Sequence, residues 1–225
     1  MQEMPLFGAA FDLDGTMLDN NPFHILAWQE FYRKRGRSLS TEEYKANFNG
    51  KTNVDVLRYV LEREPSPEEI YTLTDEKEGL YREIYAAHIK PVDGLLDLLE
   101  LFRSRNIPMV IATSGIPVNI AYMFKHVPVE PYFKTVVNST HISHGKPHPE
   151  IYQVAARELG LAPERCIAFE DATVGIRSAA GAGMKVVALT TTHTAEELHG
   201  ADLIVPDFTS LNLDKLADLV SGRRG

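Results

Sequence analysis

The chain has 225 residues, of which 44% are hydrophobic and 24% charged, a composition that fits a globular protein of one sizeable domain with room for an insertion. The formal net charge of −8 argues against a protein that binds nucleic acid or a membrane surface, because both need basic patches. Cys166 is the sole cysteine, so no intrachain disulfide can form. Because the sequence shows neither the pattern of a leader peptide nor an apolar run long enough to span a membrane, we expect a cytoplasmic protein.

The first predicted element is a buried strand at residues 6–11, which is followed by Asp12 and Asp14. Residues two apart on a strand share a face, so both carboxylates emerge together at its carboxyl end, where open parallel sheets bind ligands. Two acids this close repel each other unless a cation lies between them. The pattern predicts a metal site with Asp12 as ligand and nucleophile and Asp14 as proton carrier. The alternative is an Asp-Gly turn with acidic side chains, which is common after strands.

Residues 21–90 carry helix signals and no strand signals. Asn21 is the expected N-cap of the first helix, with Pro22 at its first position. The four predicted helices cover residues 23–35, 41–48, 53–64 and 67–87. This segment is therefore predicted to be a four-helix block inserted directly after the first strand.

From Val92 onward, predicted helices and strands alternate. Helices are predicted at 95–102, 118–124, 150–159, 174–182 and 211–220, and strands at 108–112, 135–137, 166–169, 185–189 and 203–205. This alternation predicts an α/β fold with a doubly wound parallel sheet. We expect residues 1–20 and 91–225 to form the core, residues 21–90 to form a helical cap, and residues 221–225 to be a frayed tail.

Three later stretches place polar groups after predicted strands or in a stiff loop. Thr113 and Ser114 end the second strand, where hydroxyl and backbone N–H groups suit a phosphoryl oxygen, although an ordinary helix cap is the alternative. Lys146 stands in a loop that two prolines stiffen, whereas most lysines are solvated. Glu170 and Asp171 follow a buried strand, and their hard oxygens suit Mg²⁺; a helix-capping role is again the alternative.

Together these stretches resemble the motifs of the haloacid dehalogenase-like hydrolase superfamily, in particular its β-phosphoglucomutase-like branch. The resemblance spans nearly the whole chain. It implies that Thr113 binds the transferring phosphoryl group, with Ser114 beside it, and that Lys146 offsets the negative charge. It also implies Mg²⁺ held by the Asp12 carboxylate, the Asp14 main-chain carbonyl and Asp171, with Glu170 in support.

The predicted cap offers His24, Gly50, Lys51 and Asn53 as candidates for substrate binding. In the branch that the chain resembles, a histidine at the position of His24 meets the active site, although a lone histidine on a helix is more often structural. Asn53 stands where β-phosphoglucomutase has an arginine, and Ile116-Pro117 where it has a lysine. Because a bisphosphate intermediate would use both cations, their loss favours hydrolysis over a mutase reaction.

The function expected from the sequence is a Mg²⁺-dependent phosphatase of small phosphorylated metabolites, most of all sugar phosphates, acting through an aspartyl-phosphate. A phosphomutase with the same nucleophile is the first alternative, and a non-catalytic sensor of phosphorylated ligands is the second. The presence of Asp14 and Asp171 argues against a dehalogenase, which needs neither. No nucleic-acid or membrane partner is expected, and the oligomeric state stays open.

Two further patterns are interpreted as structural. His141, His144 and His148 lie on a proline-rich loop without a cysteine partner, so simple loop histidines are favoured over a zinc site. Gly181-Ala182-Gly183 follows a helix and precedes a strand, which is the wrong order for a dinucleotide-binding loop.

Overall fold

A computed structural model describes residues 5–221. Residues 1–4 and 222–225 lie outside this range. The first group belongs to the stretch in which no leader is expected, and the second belongs to the expected frayed tail. Within residues 5–221, every helix is too short or too polar to span a bilayer. In chain order the elements are β1 (Gly8–Phe11), α1 (Asn21–Arg33), α2 (Thr41–Asn47), α3 (Asn53–Leu61), α4 (Pro67–Tyr85), α5 (Leu95–Ser104), β2 (Met109–Ala112), α6 (Pro117–His126), β3 (Val136–Val137), α7 (Glu150–Leu159), β4 (Cys166–Glu170), α8 (Thr173–Gly181), β5 (Lys185–Leu189), β6 (Leu203–Val205) and α9 (Leu213–Ser221).

The six strands form one parallel sheet in the order β3-β2-β1-β4-β5-β6. The predicted doubly wound parallel sheet is therefore confirmed. The chain starts in the middle of the sheet and winds outward in both directions, so the strand order reverses beside β1. In open α/β sheets, ligands bind at this reversal, outside the carboxyl ends of the strands.

Apolar side chains on both faces of the sheet explain why its central strands are buried. Every residue of β1, β2 and β4 is buried. On one face Phe11 and Phe169 stack with ring centroids 4.4 Å apart, and Phe102 of α5 packs against both. On the other face Ala10 and Ala168 leave room for Tyr152 of α7. The register that pairs Phe11 with Phe169 sets the carboxyl ends of β1 and β4 side by side.

Helices α1–α4, here called the cap helices, follow β1 and have a small core of their own. Trp28, Phe31, Phe48 and Leu57 are buried together in it. The four helices occupy the predicted segment, which contains no strand. The division into core and cap at residues 20 and 90 stays a prediction.

The start of α1 differs from the prediction. The N-cap position is Asn20, and Asn21 is the first helical residue, with Pro22 behind it. Neither asparagine caps the helix with its side chain. Their amides instead bind carboxylates at the strand ends, so the prediction that Asn21 caps α1 was wrong.

Candidate active site

Three buried carboxylates meet at the carboxyl ends of β1 and β4. Asp12, Glu170 and Asp171 are each at most 4% exposed, and an oxygen atom from each lies within 4.8 Å of the others. The pairing of β1 with β4 brings them together across more than 150 residues of sequence. Buried carboxylates that crowd in this way require a positive charge among them.

Lys146 supplies one positive charge. Its ammonium donates to Asp12 Oδ1 at 2.8 Å, to Glu170 Oε1 at 2.6 Å and to the Ala112 carbonyl at 3.4 Å. Burial alone would lower the pKa of Lys146, but Asp12 and Glu170 outweigh it and raise the pKa above its usual value. Lys146 therefore stays charged. One oxygen of Asp12 is bound to it, which leaves Oδ2 for other chemistry.

The hydrogen bonds of Glu170 favour contact with Lys146 over a role as a metal ligand. Its Oε1 accepts from Lys146 and from the Tyr152 hydroxyl, which lies 2.6 Å away. Its Oε2 accepts the backbone N–H groups of Asp171 and Ala172 at 3.2 and 3.4 Å. With both oxygens engaged, Glu170 is placed to hold Lys146, which fits its predicted supporting role.

The remaining carboxylates fit a magnesium ion. Thr16 Oγ1 and Asn21 Nδ2 donate to the two oxygens of Asp171, at 3.2 and 2.9 Å, and so fix its orientation toward Asp12. Gly15 packs so closely against this carboxylate that a Cβ atom there would lie 2.1 Å from Asp171 Oδ2. Mg²⁺ prefers a few hard oxygen ligands and retains several waters. Asp12 and Asp171, with the Asp14 carbonyl, remain the proposed ligands.

Gly15 gives a prediction about stability. The substitution Gly15→Ala combines a φ of +80° with the clash against Asp171 and is expected to lower the free energy of unfolding by more than about 2 kcal/mol. Gly36→Ala is the matched control, because Gly36 has a φ of +67° and nothing within 4 Å of the added atom. Urea unfolding measures both. Equal losses in the two variants would show that the Asp171 contact has no effect.

The acid cluster also gives a prediction about pH. Burial, followed by the charge of Glu170, raises the pKa of Asp171 to about 7. Burial likewise raises the pKa of Asp12 well above its usual value, although Lys146 opposes it. The folded, metal-free protein therefore holds these protons more tightly than the unfolded chain, whose aspartates titrate near pH 4. Its free energy of unfolding should accordingly fall as the pH rises from about 4 to about 7.

Mg²⁺ is expected to abolish this decline, because it stabilises the ionised carboxylates. Urea unfolding at pH 5 and pH 7.5, with and without Mg²⁺, measures the effect. Asp171→Asn is the control that should show a shallower decline without metal. A metal-free protein whose stability does not fall over this range would contradict the assignment.

Asp14 points away from this cluster, toward the cap helices. Its Oδ1 accepts from Asn20 Nδ2 at 2.5 Å and lies 3.4 Å from His24 Nε2, and the side chain is 26% exposed. Burial acts to raise the pKa of Asp14, but His24, Asn20 and Lys77 together outweigh it and hold the pKa below its usual value. Asp14 is thus ionised at rest and separated from the metal cluster, as a proton carrier requires.

A buried ion pair in the cap helices was missed from the sequence. Lys77 and Glu78 are only 2% and 3% exposed, and the ammonium lies 2.9 Å from Glu78 Oε1. Lys77 also contacts His24 Nδ1 at 2.8 Å, so a chain of contacts runs from Lys77 through His24 to Asp14. Glu78 Oε2 accepts from Asn119 Nδ2 of the core at 2.7 Å. No sequence signal marks this pair, because charged residues on a helix are usually solvated.

The other predicted residues gather around a single cavity over Asp12 and Asp14. Thr113 is buried and its Oγ1 accepts from the Gly115 N–H, which leaves its own proton free for a ligand. Ser114 Oγ donates to the Gly50 carbonyl at 2.9 Å and so links the cap helices to the core. Asn53 donates to Glu78 Oε1 at 2.8 Å. Lys51 lines the cavity, and across residues 5–221 no hydrogen bond or ion pair engages its ammonium.

This cavity encloses about 60 Å³. A bound water needs roughly 10–15 Å³ of such volume, so the space holds a handful of waters or one phosphoryl group. The cap helices therefore cover the carboxylates only in part, because the cavity is open to solvent and the Asp14 side chain is 26% exposed.

The loop histidines split into two groups. His144 and His148 lie with Glu150 on the surface, close enough to hold a metal ion, whereas His141 accepts the Asn138 N–H. Glu150 accepts the backbone N–H groups of Ser143 and His144, which accounts for the cluster without a metal. Simple loop histidines stay the prediction. Gly183, with a φ of +92°, follows α8 as the predicted helix-ending glycine.

Comparison with known proteins identifies a matching family, two similar phosphatases and one similar crystal structure. The model of the haloacid dehalogenase-like hydrolases matches residues 9–189. A fructose-1-phosphate phosphatase of Escherichia coli K12 is 30% identical over 80% of this chain and 94% of its own length. Hexitol phosphatase A of the same organism is 31% identical over 92% and 94%. The crystal structure of a Clostridium difficile β-phosphoglucomutase, 25% identical, superimposes with a TM-score of 0.84 and covers 96% of this chain and 97% of that one.

Proposed function

The chain belongs to the haloacid dehalogenase-like hydrolase family, and we propose that it is a Mg²⁺-dependent phosphatase of small phosphorylated sugars and polyols. One observation carries the proposal. Asp12 is buried and bound through one oxygen to Lys146, while its other oxygen has no hydrogen-bond donor among residues 5–221 and lies at the ligand cavity. A carboxylate in this state is available to attack phosphorus. The sugar-phosphate relatives support the substrate class.

In the proposed first step, Asp12 attacks phosphorus in line and the bond to the leaving oxygen breaks, which forms an aspartyl-phosphate. Lys146 and the Thr113 hydroxyl neutralise and orient the phosphoryl oxygens. Mg²⁺ bound by Asp12 and Asp171 supplies further neutralisation of that charge. Asp14, which is ionised at rest, takes up a proton from solvent when the phosphoryl dianion beside it raises its pKa, and it then gives that proton to the leaving oxygen.

In the second step, Asp14 takes a proton from the attacking water, and the aspartyl-phosphate is hydrolysed. The lowered pKa of Asp14 keeps it ionised, so it is in the form that can accept this proton. His24 Nε2 lies 3.4 Å from Asp14 Oδ1, and His24 Nδ1 contacts the Lys77 ammonium at 2.8 Å. Closure of the cap helices over the bound substrate would keep bulk water out while the phosphorylated intermediate exists.

Hydrolysis is favoured over a mutase reaction by what lies around Asn53. A mutase must retain a second phosphate, which calls for free cations near the leaving group. Asn53 is bound to Glu78, and Lys77 is neutralised by the same carboxylate. At the start of α6, Ile116 and Val118 are apolar, and Arg82 is engaged there by Asn119 Oδ1 at 2.9 Å. Lys51 is then the one lysine of the cavity lining without a partner among residues 5–221. A phosphomutase remains the second candidate because of the likeness to β-phosphoglucomutase.

The first test is Mg²⁺-dependent release of phosphate from p-nitrophenyl phosphate and from a panel of sugar and polyol phosphates. We expect turnover that is lost with a chelator and restored by Mg²⁺. An inactive wild-type protein across the whole panel would overturn the proposal and favour the sensor.

A second test separates hydrolysis from the mutase reaction. The protein is incubated with β-glucose 1-phosphate and a trace of the bisphosphate. Free phosphate is the expected product, and glucose 6-phosphate without free phosphate would establish the mutase.

Asp14→Asn is expected to lower kcat by roughly 10²- to 10⁴-fold because the proton carrier is lost. Substrate affinity should be retained, since Asp14 does not bind the phosphoryl oxygens. Steady-state kinetics and calorimetry measure the two effects. The control is Asp19→Asn at an exposed acid nearby, and unchanged turnover in Asp14→Asn would refute the acid–base role.

We place this activity in the cytoplasm as part of the same proposal, because the lone Cys166 offers no disulfide that would favour an oxidising compartment.

A further inference from the structure

A second and larger cavity opens beside the active site. It encloses about 520 Å³ between helices α3 and α4 on one side and the start of α6 with the loop after β3 on the other. We call it the outer groove. Its lining includes Asn53, Ile70, Tyr71, Thr74, Val118 and Ile142.

Asn53 lines both cavities, so the two are neighbours. The side-chain amide of Asn53 is held by its hydrogen bond to Glu78 Oε1. The inner cavity of about 60 Å³ accommodates a phosphoryl group. A leaving group that is larger than the inner cavity can therefore extend beside Asn53 into the outer groove.

The groove is suited to an apolar ring. Ile70, Ile142 and Val118 supply aliphatic surface, and Tyr71 offers an aromatic face. Tyr71 is 76% exposed and Val118 56%, so both are uncovered apolar groups at the mouth of a concave site.

The charges around the groove disfavour an anionic group. Arg58 is the cation of the lining, and it is already bound to Asp55 at 2.9 Å and to Glu64 at 2.8 Å. Asp75 adds a negative charge. A second phosphate in this groove would meet one cation that is already paired and an unpaired acid, whereas an uncharged ring would meet apolar surface.

We propose that the outer groove binds the far end of the substrate's leaving group, and that this end is an uncharged aromatic ring joined to the phosphorylated polyol. The inference rests on the proposed phosphatase function. It concerns the part of the substrate that lies beyond the polar inner cavity.

The test compares two esters that share one phosphorylated end, a pentitol 5-phosphate and the same phosphate with an anilino group at carbon 1. The wild-type protein should hydrolyse the ring-bearing ester with a kcat/KM at least about tenfold higher, because the ring leaves water. Tyr71→Ala and Val118→Ala should each reduce this ratio severalfold. Leu96→Ala, at an exposed leucine of α5 outside the groove, should leave the ratio unchanged.

A ratio near one in the wild-type protein, or a ratio that survives both groove substitutions, would overturn the inference while leaving the phosphatase intact. Failure to hydrolyse either ester or p-nitrophenyl phosphate would instead overturn the proposed function. Binding of both esters to the Asp12→Asn variant, measured by calorimetry, tests the groove in that case too. Equal affinities for the two esters would then contradict the inference.

Discussion

Asp12→Asn is expected to lower kcat by at least about 10⁴-fold, because an amide cannot act as the nucleophile that the proposed mechanism requires. The variant keeps the shape of the side chain. It also removes one of three crowded negative groups, so the metal-free protein should be at least as stable as the wild type. Steady-state kinetics and urea unfolding, measured on the same preparation, separate loss of chemistry from loss of folding. An Asp12→Asn variant with more than a few per cent of wild-type turnover would contradict the nucleophile assignment.

Lys146→Met is expected to affect both stability and activity. Without the ammonium, Asp12 and Glu170 keep buried charges that nothing neutralises, and the loss of one partner from a buried ion pair typically costs about 3–5 kcal/mol. We also expect kcat to fall by roughly 10²- to 10³-fold, since Lys146 no longer offsets the charge on the phosphoryl group. Urea unfolding and steady-state kinetics measure the two effects.

The double variant Lys146→Met with Glu170→Gln distinguishes the two roles of the lysine. It removes one cation and one anion together, so it should recover most of the stability lost in the single variant. Activity should stay low. If the double variant regains near wild-type turnover, Lys146 has a structural role and takes no part in the chemistry.

The positions of the strand-end residues could be predicted from the sequence because they depend on short-range rules. An apolar strand followed by an acidic pair predicts where Asp12 and Asp171 lie, since the carboxyl ends of neighbouring parallel strands meet at one edge. The β1–β4 pairing then brings these two residues within reach of one ion. Lys146 was singled out by the motif that the chain resembles, and its contact with Asp12 follows from folding across 134 residues.

The supporting contacts could not be predicted in the same way. Asn21 was interpreted as a helix cap because asparagine before proline commonly starts a helix. Its amide instead binds Asp171, which is 150 residues away in the sequence, and no local rule contains that partner. Lys77 and Glu78 lie on a helix whose polar residues are usually solvated, and only tertiary packing buries them.

The role of the cap helices in specificity depends on three-dimensional contacts as well. Lys51 and Asn53 were both predicted as substrate-binding residues, yet the structure gives them different surroundings. Lys51 lines the cavity and its ammonium has no hydrogen bond or ion pair among the described residues, whereas Asn53 is bound to Glu78 and lines both the cavity and the outer groove. Since Asn53 and Glu78 are 25 residues apart, the sequence alone offered no reason to pair them.

The stereochemical course at phosphorus tests the central claim most directly. Two successive in-line displacements, first by Asp12 and then by water, each invert the configuration and so retain it overall. Hydrolysis of an isotopically chiral phosphorothioate ester in labelled water reports the outcome without requiring an intermediate to accumulate. Retention is the result that a covalent aspartyl-phosphate predicts. Inversion would mean that water attacks the substrate directly, and Asp12 would then lose its role as nucleophile.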